Sequence, residues 1–377
     1  MKQLNILQFI RDHEDWEKLL SEKPYAITVT RKQKFGRNLM MLKYSQIDSD
    51  FSNPVVRECR GLILDEDSLE VISFPFMKFC NFGEPYADSI DWASAKILEK
   101  VDGSLIKIVR LEGEDNLLIS TNGTIDADDA PIPEQIGCPF KSFGDAVRQV
   151  LQNYDWDYLF PDENVTYMFE LVSPWTKVVI PYPETDLYFL GCRDNLTFEE
   201  TLPQDHRLAG FFKTPKVYEF NSFEDCIKAA EELPWDEEGY VVVDKYFHRV
   251  KVKSPAWISV HHLKDNGGFS YSRAVELIRA NELDEVLGYF PELKGPLYAV
   301  KEKYMNLIAE EEAVWNAFDN EFAGKVATRK EQALWITSHS KNPGIHFSML
   351  DRKVSSVREW VDNYPADKLV KILGFKE

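Results

Sequence analysis

The stretch Glu99-Lys100-Val101-Asp102-Gly103-Ser104-Leu105 sets a lysine, an aspartate and a glycine at K-x-D-G spacing between two apolar runs, residues 94–98 and 105–109. Strand-like flanks would hold the lysine on a rigid frame, where a nucleophile is best aimed. Attack of an amine on a nucleotide α-phosphate is the chemistry this spacing suits. Asp102 and Gly103 supply turn chemistry, and a glycine lets a ligand approach the backbone closely. A lysine has a reference pKa of about 10.4, so on the order of one amine in a thousand is neutral at pH 7. Burial or neighbouring cations must lower that value before the amine can attack. Taken alone, the same residues also describe a surface hairpin with a D-G-S turn.

Four further segments bear on that choice. Arg57-Glu58-Cys59-Arg60-Gly61-Leu62 puts a guanidinium just before a strand, where it suits a phosphate or ribose oxygen, or a plain surface ion pair. The aromatic run from Phe74 to Phe82 carries Lys78 at its centre. Its rings suit a stacked base, or simply a core strand. Glu170 interrupts the apolar strand Thr166-Tyr167-Met168-Phe169-Glu170-Leu171-Val172. A carboxylate there needs a partner: a structural arginine, a ribose hydroxyl or metal-bound water. Finally, Glu237-Glu238-Gly239-Tyr240 precedes Arg249-Val250-Lys251-Val252-Lys253. Residues i and i+2 of a strand share a face, so Lys251 and Lys253 point the same way. Such a pair is either a solvated sheet edge or a site that binds an anion and depresses the pKa of a nearby lysine.

The elements that must position these residues change character along the chain. Up to about residue 253, alternating or apolar runs predict strands at 26–30, 39–44, 62–65, 71–74, 117–121, 165–172, 187–191, 239–244 and 249–253. Helical patterns interrupt them at 143–153 and 223–232. Strands and helices do not alternate strictly, which predicts α+β with antiparallel sheets. After Pro255 the pattern is helical, at 272–281, 301–318, 328–337 and 353–373, punctuated by Pro291, Pro296, Pro343 and Pro365. The expected division is a first domain over 1–255 and an all-α C-terminal domain over 256–377.

Composition sets outer bounds. The chain has 377 residues, 44% hydrophobic, with a formal net charge of −19. So acidic a chain does not bind nucleic acid over its whole surface, and any such contact needs a local basic groove. The stretch from Lys245 through His248, Arg249, Lys251, Lys253, His261 and His262 to Lys264 is the candidate, with acids Asp244 and Asp265 only at its ends. Five cysteines without C-x-x-C spacing predict reduced thiols and no zinc site. No apolar run nears the roughly 20 residues of a membrane span, and the N-terminus reads as an amphipathic helix, not a signal peptide. The expectation is a cytoplasmic protein without a membrane partner.

Taken in order, the K-x-D-G-S, F-E, E-G-Y and K-V-K segments resemble the covalent nucleotidyltransferase superfamily of ligases and capping enzymes. The upstream R-E-C-R-G and M-K-F-C-N segments resemble more specifically the phage-type, tRNA-repairing RNA ligase 1 family, over residues 38–264. The resemblance implies an antiparallel-sheet nucleotidyltransferase domain, ATP-grasp-like, followed by the helical domain as the part that recognises RNA. It implies an ATP-dependent RNA ligase that joins 3′-OH and 5′-phosphate ends, those of a broken tRNA among them, with a separate end-healing kinase or phosphatase. The cytoplasm would be that of a host if the chain is phage-encoded.

By position, Lys100 would carry AMP. Tyr44, Arg60, Lys78 and Phe79 would contact the nucleotide. Asp102 and Gly103 would shape the nucleophile turn. Glu170 would meet the ribose, and Glu238 would help hold the catalytic metal, Mg²⁺ or Mn²⁺, with Glu170 also near metal-bound water. Lys251 and Lys253 would sit on the α-phosphate. Asp284 is a further metal candidate in the tail. Two departures stand out: Ser120-Thr121-Asn122-Gly123-Thr124 has Asn122 where the family usually has a basic residue, and Lys177 stands where arginine is common. A DNA ligase or a GTP-using capping enzyme would share the nucleotidyl motifs but place a barrel of short strands after K-V-K, where this chain reads as helical. A nucleotide-binding protein without catalysis would be expected to lack some of these residues.

Overall fold

The computed structural model describes residues 3–111, 117–176, 179–180, 182–234, 236–258, 269–289 and 291–375. The chain separates into two compact units, Met1–His261 and His262–Glu377.

The first unit is built on three sheets. β1 (Ile27–Lys34), β2 (Arg37–Tyr44), β3 (Arg60–Asp65) and β4 (Val71–Ser73) form the first, in that order. The following strands are β5 (Cys80–Asn81), β6 (Lys96–Glu99), β7 (Ser104–Arg110), β8 (Leu117–Thr121), β9 (Val165–Val172), β10 (Asp186–Asp194), β11 (Glu200–Thr201), β12 (Val217–Tyr218), β13 (Gly239–Val243) and β14 (Arg249–Lys253). The second sheet runs β11-β10-β9-β7-β8 and the third β12-β6-β13-β14-β5. Pairing is antiparallel in both, apart from the short parallel pair of β14 with β5.

Period-two alternation decides what each sheet presents. Ile106, Ile108, Tyr167, Phe169 and Leu171 are fully buried on one face of the second sheet, against Ala146, Val147 and Leu151 of the helix Phe143–Leu151. A Ser142–Asp145 capping box starts that helix. The alternate residues Leu105, Lys107, Val109, Met168 and Glu170 leave the opposite face. Part of that face, with Val109 and Leu118, packs on Leu39, Met41 and Ile63 of the first sheet. The rest, Leu105 and Glu170, lines a cleft. In the third sheet, Ile97, Tyr240, Val242 and Val252 pack on Cys226 and Ala230 of the helix Phe223–Glu231. Their neighbours Leu98, Val241 and Lys251, aligned across the strands, face the same cleft.

Several local expectations change. The segment between residues 99 and 104 is not a hairpin turn: β6 belongs to the third sheet and β7 to the second, so it crosses from one to the other. The aromatic run from Phe74 to Phe82 is mostly irregular, with only the two-residue β5 in it. The expected helix at 353–373 is two helices, Val357–Asn363 and Ala366–Ile372. Tyr364, which precedes Pro365, is extended at φ −74°, ψ 140°, as the ring of a following proline favours. The helix expected at 301–318 is longer, Lys294–Phe322, and Pro343–Leu350 adds a helix the periodicity did not show. All regular elements described in the second unit are helical. No described helix is long and apolar enough to cross a membrane.

Candidate active site

The inter-sheet crossing fixes Lys100 by its backbone. Its N–H donates to the Gly239 carbonyl at 2.8 Å, and the Glu99 N–H donates to the Lys216 carbonyl at 2.8 Å. The side chain is largely buried and its ammonium lies 2.6 Å from Glu238 Oε2. Lys253 Nζ reaches the other oxygen of the same carboxylate at 3.7 Å. One acid thus holds two lysines from opposite sides. Gly239 makes this approach feasible: at φ +136° it pairs with Lys253, and a Cβ there would stand 2.2 Å from the Val252 carbonyl oxygen. At Gly103 a Cβ would lie 2.4 Å from the Leu171 carbonyl oxygen and 2.9 Å from Glu170 Cγ. The glycine of K-x-D-G therefore lets the crossing lie directly on β9.

Asp102, expected beside the nucleophile, is buried and has other work. Its Oδ2 accepts the backbone N–H groups of Val179 and Ile180 at 2.9 and 2.8 Å. It ties the crossing to the loop before β10.

The cleft, about 330 Å³, brings Arg60, Phe79, Lys100, Gly103, Glu170, Lys251 and Lys253 together, with Glu238 bound to two of them. Lys251 is the most telling side chain. Burial pushes its ammonium down to about 7, and Lys78, Lys253, Arg60 and Lys100 add repulsion. Glu170 moves the other way, up to about 8, chiefly by burial; Lys100 opposes the shift, and Glu238 adds to it. Phe79 stands between two cations, with Arg60 5.3 Å and Lys251 5.1 Å from its ring centre. Arg60 Nη1 is buried without a hydrogen-bond partner among the described residues. Tyr44 and Lys78 line an adjoining cavity that shares Arg60, Phe79 and Lys251 with the cleft. A converging set of cations with one unsatisfied guanidinium nitrogen is a site that wants a polyanion.

For a divalent metal the offer is sparse. Among the described residues no group of three or more His, Cys, Asp or Glu side chains is placed to hold one. Glu170 faces the cleft and Glu238 is occupied by lysines, which suits a metal held mostly by phosphate oxygens and water. Asp284 is exposed on the helix Leu283–Tyr289 of the second unit. Lys177, His261, His262, Lys264 and Asp265 lie outside the described residues.

A family model of RNA ligases matches residues 58–257, more than half of the chain and the whole of this cleft from Arg60 to Lys253. The chain belongs to the phage-type RNA ligase 1 family. An "RNA ligase" of Rhodothermus phage RM378 is 23% identical over 356 residues, covering 77% of this chain and 78% of the phage protein. A protein of Autographa californica nuclear polyhedrosis virus, named for a bifunctional polynucleotide kinase/RNA ligase, is 33% identical over 282 residues. That match covers 68% of this chain but only 38% of the viral protein's length. Among solved structures, an archaeal ATP-dependent RNA ligase covers 78% of each chain at 15% identity and a TM-score of 0.44.

In this RNA ligase family member, several groups at the site were not singled out from the sequence. Arg249, seen there only as part of a basic stretch, lines the cleft and belongs to a buried network. Its Nη2 lies 2.7 Å from Glu200 Oε2, and Glu200 also pairs with Arg193. The two guanidinium groups lie over Phe76 and Phe74, at 4.4 and 4.0 Å, and Arg193 donates to the Pro75 carbonyl at 2.6 Å. This network carries the segment that delivers Lys78 and Phe79. Removing its carboxylate would strand two buried cations, at a cost of about 3–5 kcal/mol. Glu200→Ala should therefore lower the urea midpoint far more than Lys96→Ala, which breaks an exposed pair with Asp205 worth under about 1 kcal/mol. Similar shifts for the two would contradict this.

Lys107 is the other omission. It is fully buried in β7, donates to the Gly61 carbonyl at 2.5 Å and is pushed down to about 7 by burial, with Arg60 adding repulsion. A charge within an apolar strand was its signal, the same one that marked Glu170. Arg57, by contrast, is structural: it pairs with Asp88 at 2.8 Å and donates to the Lys78 carbonyl at 3.1 Å.

Proposed function

We propose that the chain is an ATP-dependent RNA ligase that joins 3′-OH and 5′-phosphate RNA ends through covalent AMP on Lys100. The observation that carries this reading is one buried lysine amine, held 2.6 Å from a carboxylate, in a cleft with Arg60, Lys251 and Lys253. In the first step Lys100 Nζ attacks the α-phosphorus of ATP. A P–N bond forms, the P–O bond to the β-phosphate breaks, and pyrophosphate leaves. The amine must lose its protons on the way, and Glu238 Oε2 is the acceptor already in contact with it. In the second step a 5′-phosphate oxygen displaces the lysine and carries AMP away as a 5′–5′ pyrophosphate. In the third, the 3′-hydroxyl attacks the 5′-phosphorus, a phosphodiester forms and AMP leaves.

Charge stabilisation supplies most of such catalysis, since the protein's covalent part ends with the lysine. Lys251 and Lys253 neutralise the α-phosphate, Arg60 and Lys78 meet further phosphate or ribose oxygens, Phe79 and Tyr44 line the nucleotide, and Glu170 meets the ribose. A divalent cation, Mg²⁺ or Mn²⁺, would be held at Glu170 and Glu238, largely through water, and would offset phosphate charge. We assign choice of RNA, including a broken tRNA, to the helical C-terminal domain, and expect a cytoplasmic setting with a separate end-healing kinase or phosphatase. The kinase half of the viral relative's name supports that last partner.

The test is a sealing assay with ATP or GTP on single-stranded RNA, a broken anticodon stem-loop and nicked duplex DNA. The expected result is ATP-dependent joining of RNA. Preference for nicked DNA or for GTP would overturn it. A chain ending near residue 261 should still take up AMP but lose sealing of structured RNA. Unchanged sealing would remove the tail from substrate choice.

A further inference from the structure

The cavity beside the cleft is about 120 Å³ and is lined by four cations, Lys43, Arg60, Lys78 and Lys251, with no carboxylate among its lining residues. In a chain of net charge −19, such a grouping is repulsive until an anion enters it. Asn122 also lines the cavity and brings no charge, although the family pattern sets a basic residue there. Lys43 stands nearby. It is the penultimate residue of β2, in register with Arg60 of β3, so both side chains leave the same face of the first sheet. Its ammonium reaches the 121–124 turn: a Cβ on Gly123 would lie 3.5 Å from Lys43 Nζ. No ion pair or side-chain hydrogen bond engages Lys43 among the described residues.

We infer that Lys43 supplies from β2 the positive charge that the turn lacks at Asn122, and binds the phosphate tail of the nucleotide whose α-phosphate meets Lys100. The inference rests on the ligase reading. A lysine reaching in from a neighbouring strand places a point charge as well as one rising from the turn itself, because an ammonium needs proximity rather than planar geometry. The phosphate chemistry has a second source, the RNA 5′-phosphate, so the experiment separates the two.

Lys43→Gln, Asn122→Lys and the double variant are compared with the unaltered chain in single-turnover formation of the AMP adduct from ATP and Mg²⁺. Lys43→Gln should raise the KM for ATP by about tenfold, the scale of one charge-assisted contact, with little change in the limiting rate. The double variant should recover most of that loss, which a merely structural lysine would not allow. Sealing of RNA that already carries AMP should not change. The inference is overturned by an unchanged KM, by a double variant no better than Lys43→Gln, or by a defect confined to AMP transfer from the adduct to RNA. If the unaltered chain forms no adduct, the ligase reading falls. Calorimetric titration with pyrophosphate then decides Lys43 separately, and equal affinities for the chain and Lys43→Gln would overturn it.

Discussion

Lys100→Ala should be unable to seal a 5′-phosphorylated RNA with ATP, yet should still seal an RNA whose 5′ end already carries AMP. On the proposed mechanism the side chain is needed only where its nitrogen bonds to phosphorus. Removing it leaves Glu238 with Lys253, 3.7 Å away, as a paired acid, so the rest of the cleft keeps its charge balance. The cations proposed to face the α-phosphate stay in place, and on the proposed mechanism they serve the last step as well as the first. Loss of adduct should be complete, because no neighbouring amine is held at the same crossing. Lys100→Arg should be equally inactive: a guanidinium keeps the charge but is effectively never deprotonated. A comparable loss with both RNAs would mean that Lys100 holds the site together rather than carrying the nucleotide.

The second large effect belongs to Lys251. Its ammonium, pushed down to about 7 by burial first and then by Lys78, Lys253, Arg60 and Lys100, is only half charged near neutral pH in the free protein. An α-phosphate beside it favours the protonated form, so nucleotide binding should take up a proton as pH rises above about 7. Adduct formation at limiting ATP should then weaken towards pH 9, by up to about tenfold per unit from this group. Lys251→Arg keeps its charge and should flatten that decline. Lys251→Met loses the charge at every pH and should be slower by about 10²–10³ at pH 7, the scale of one lost oxyanion donor. The gap between Lys251→Met and the unaltered chain should narrow as pH rises. The linkage sign for stability is that of a depressed lysine: burying the charge destabilises the fold below about 7, and that penalty is lifted between about 7 and the ordinary lysine value. Parallel pH profiles for all three proteins would contradict the assignment.

Much of the cleft was legible because period-two geometry acts within one strand. Lys251 and Lys253 share a face by spacing alone, and Glu170 between Phe169 and Leu171 had to leave the core. What stayed hidden depends on contacts between sheets. The apolar runs on either side of Lys100 look the same whether they pair or diverge, so the crossing from β6 to β7 was not readable. Lys43 and Lys107 meet the 121–124 turn and Gly61 across a sheet junction, and Arg249 meets Glu200 across two sheets. No one-dimensional period reports those distances. In the tail, Pro365 was visible, but the apolar period on both sides of it concealed the break that its ring imposes at Tyr364.

The measurement that bears most directly on the central claim is peptide mapping of the protein after incubation with α-labelled ATP and a divalent metal. The expected result is label that survives base, is lost in acid and resides on the peptide containing Lys100. No covalent label, or label retained by Lys100→Ala, would contradict it.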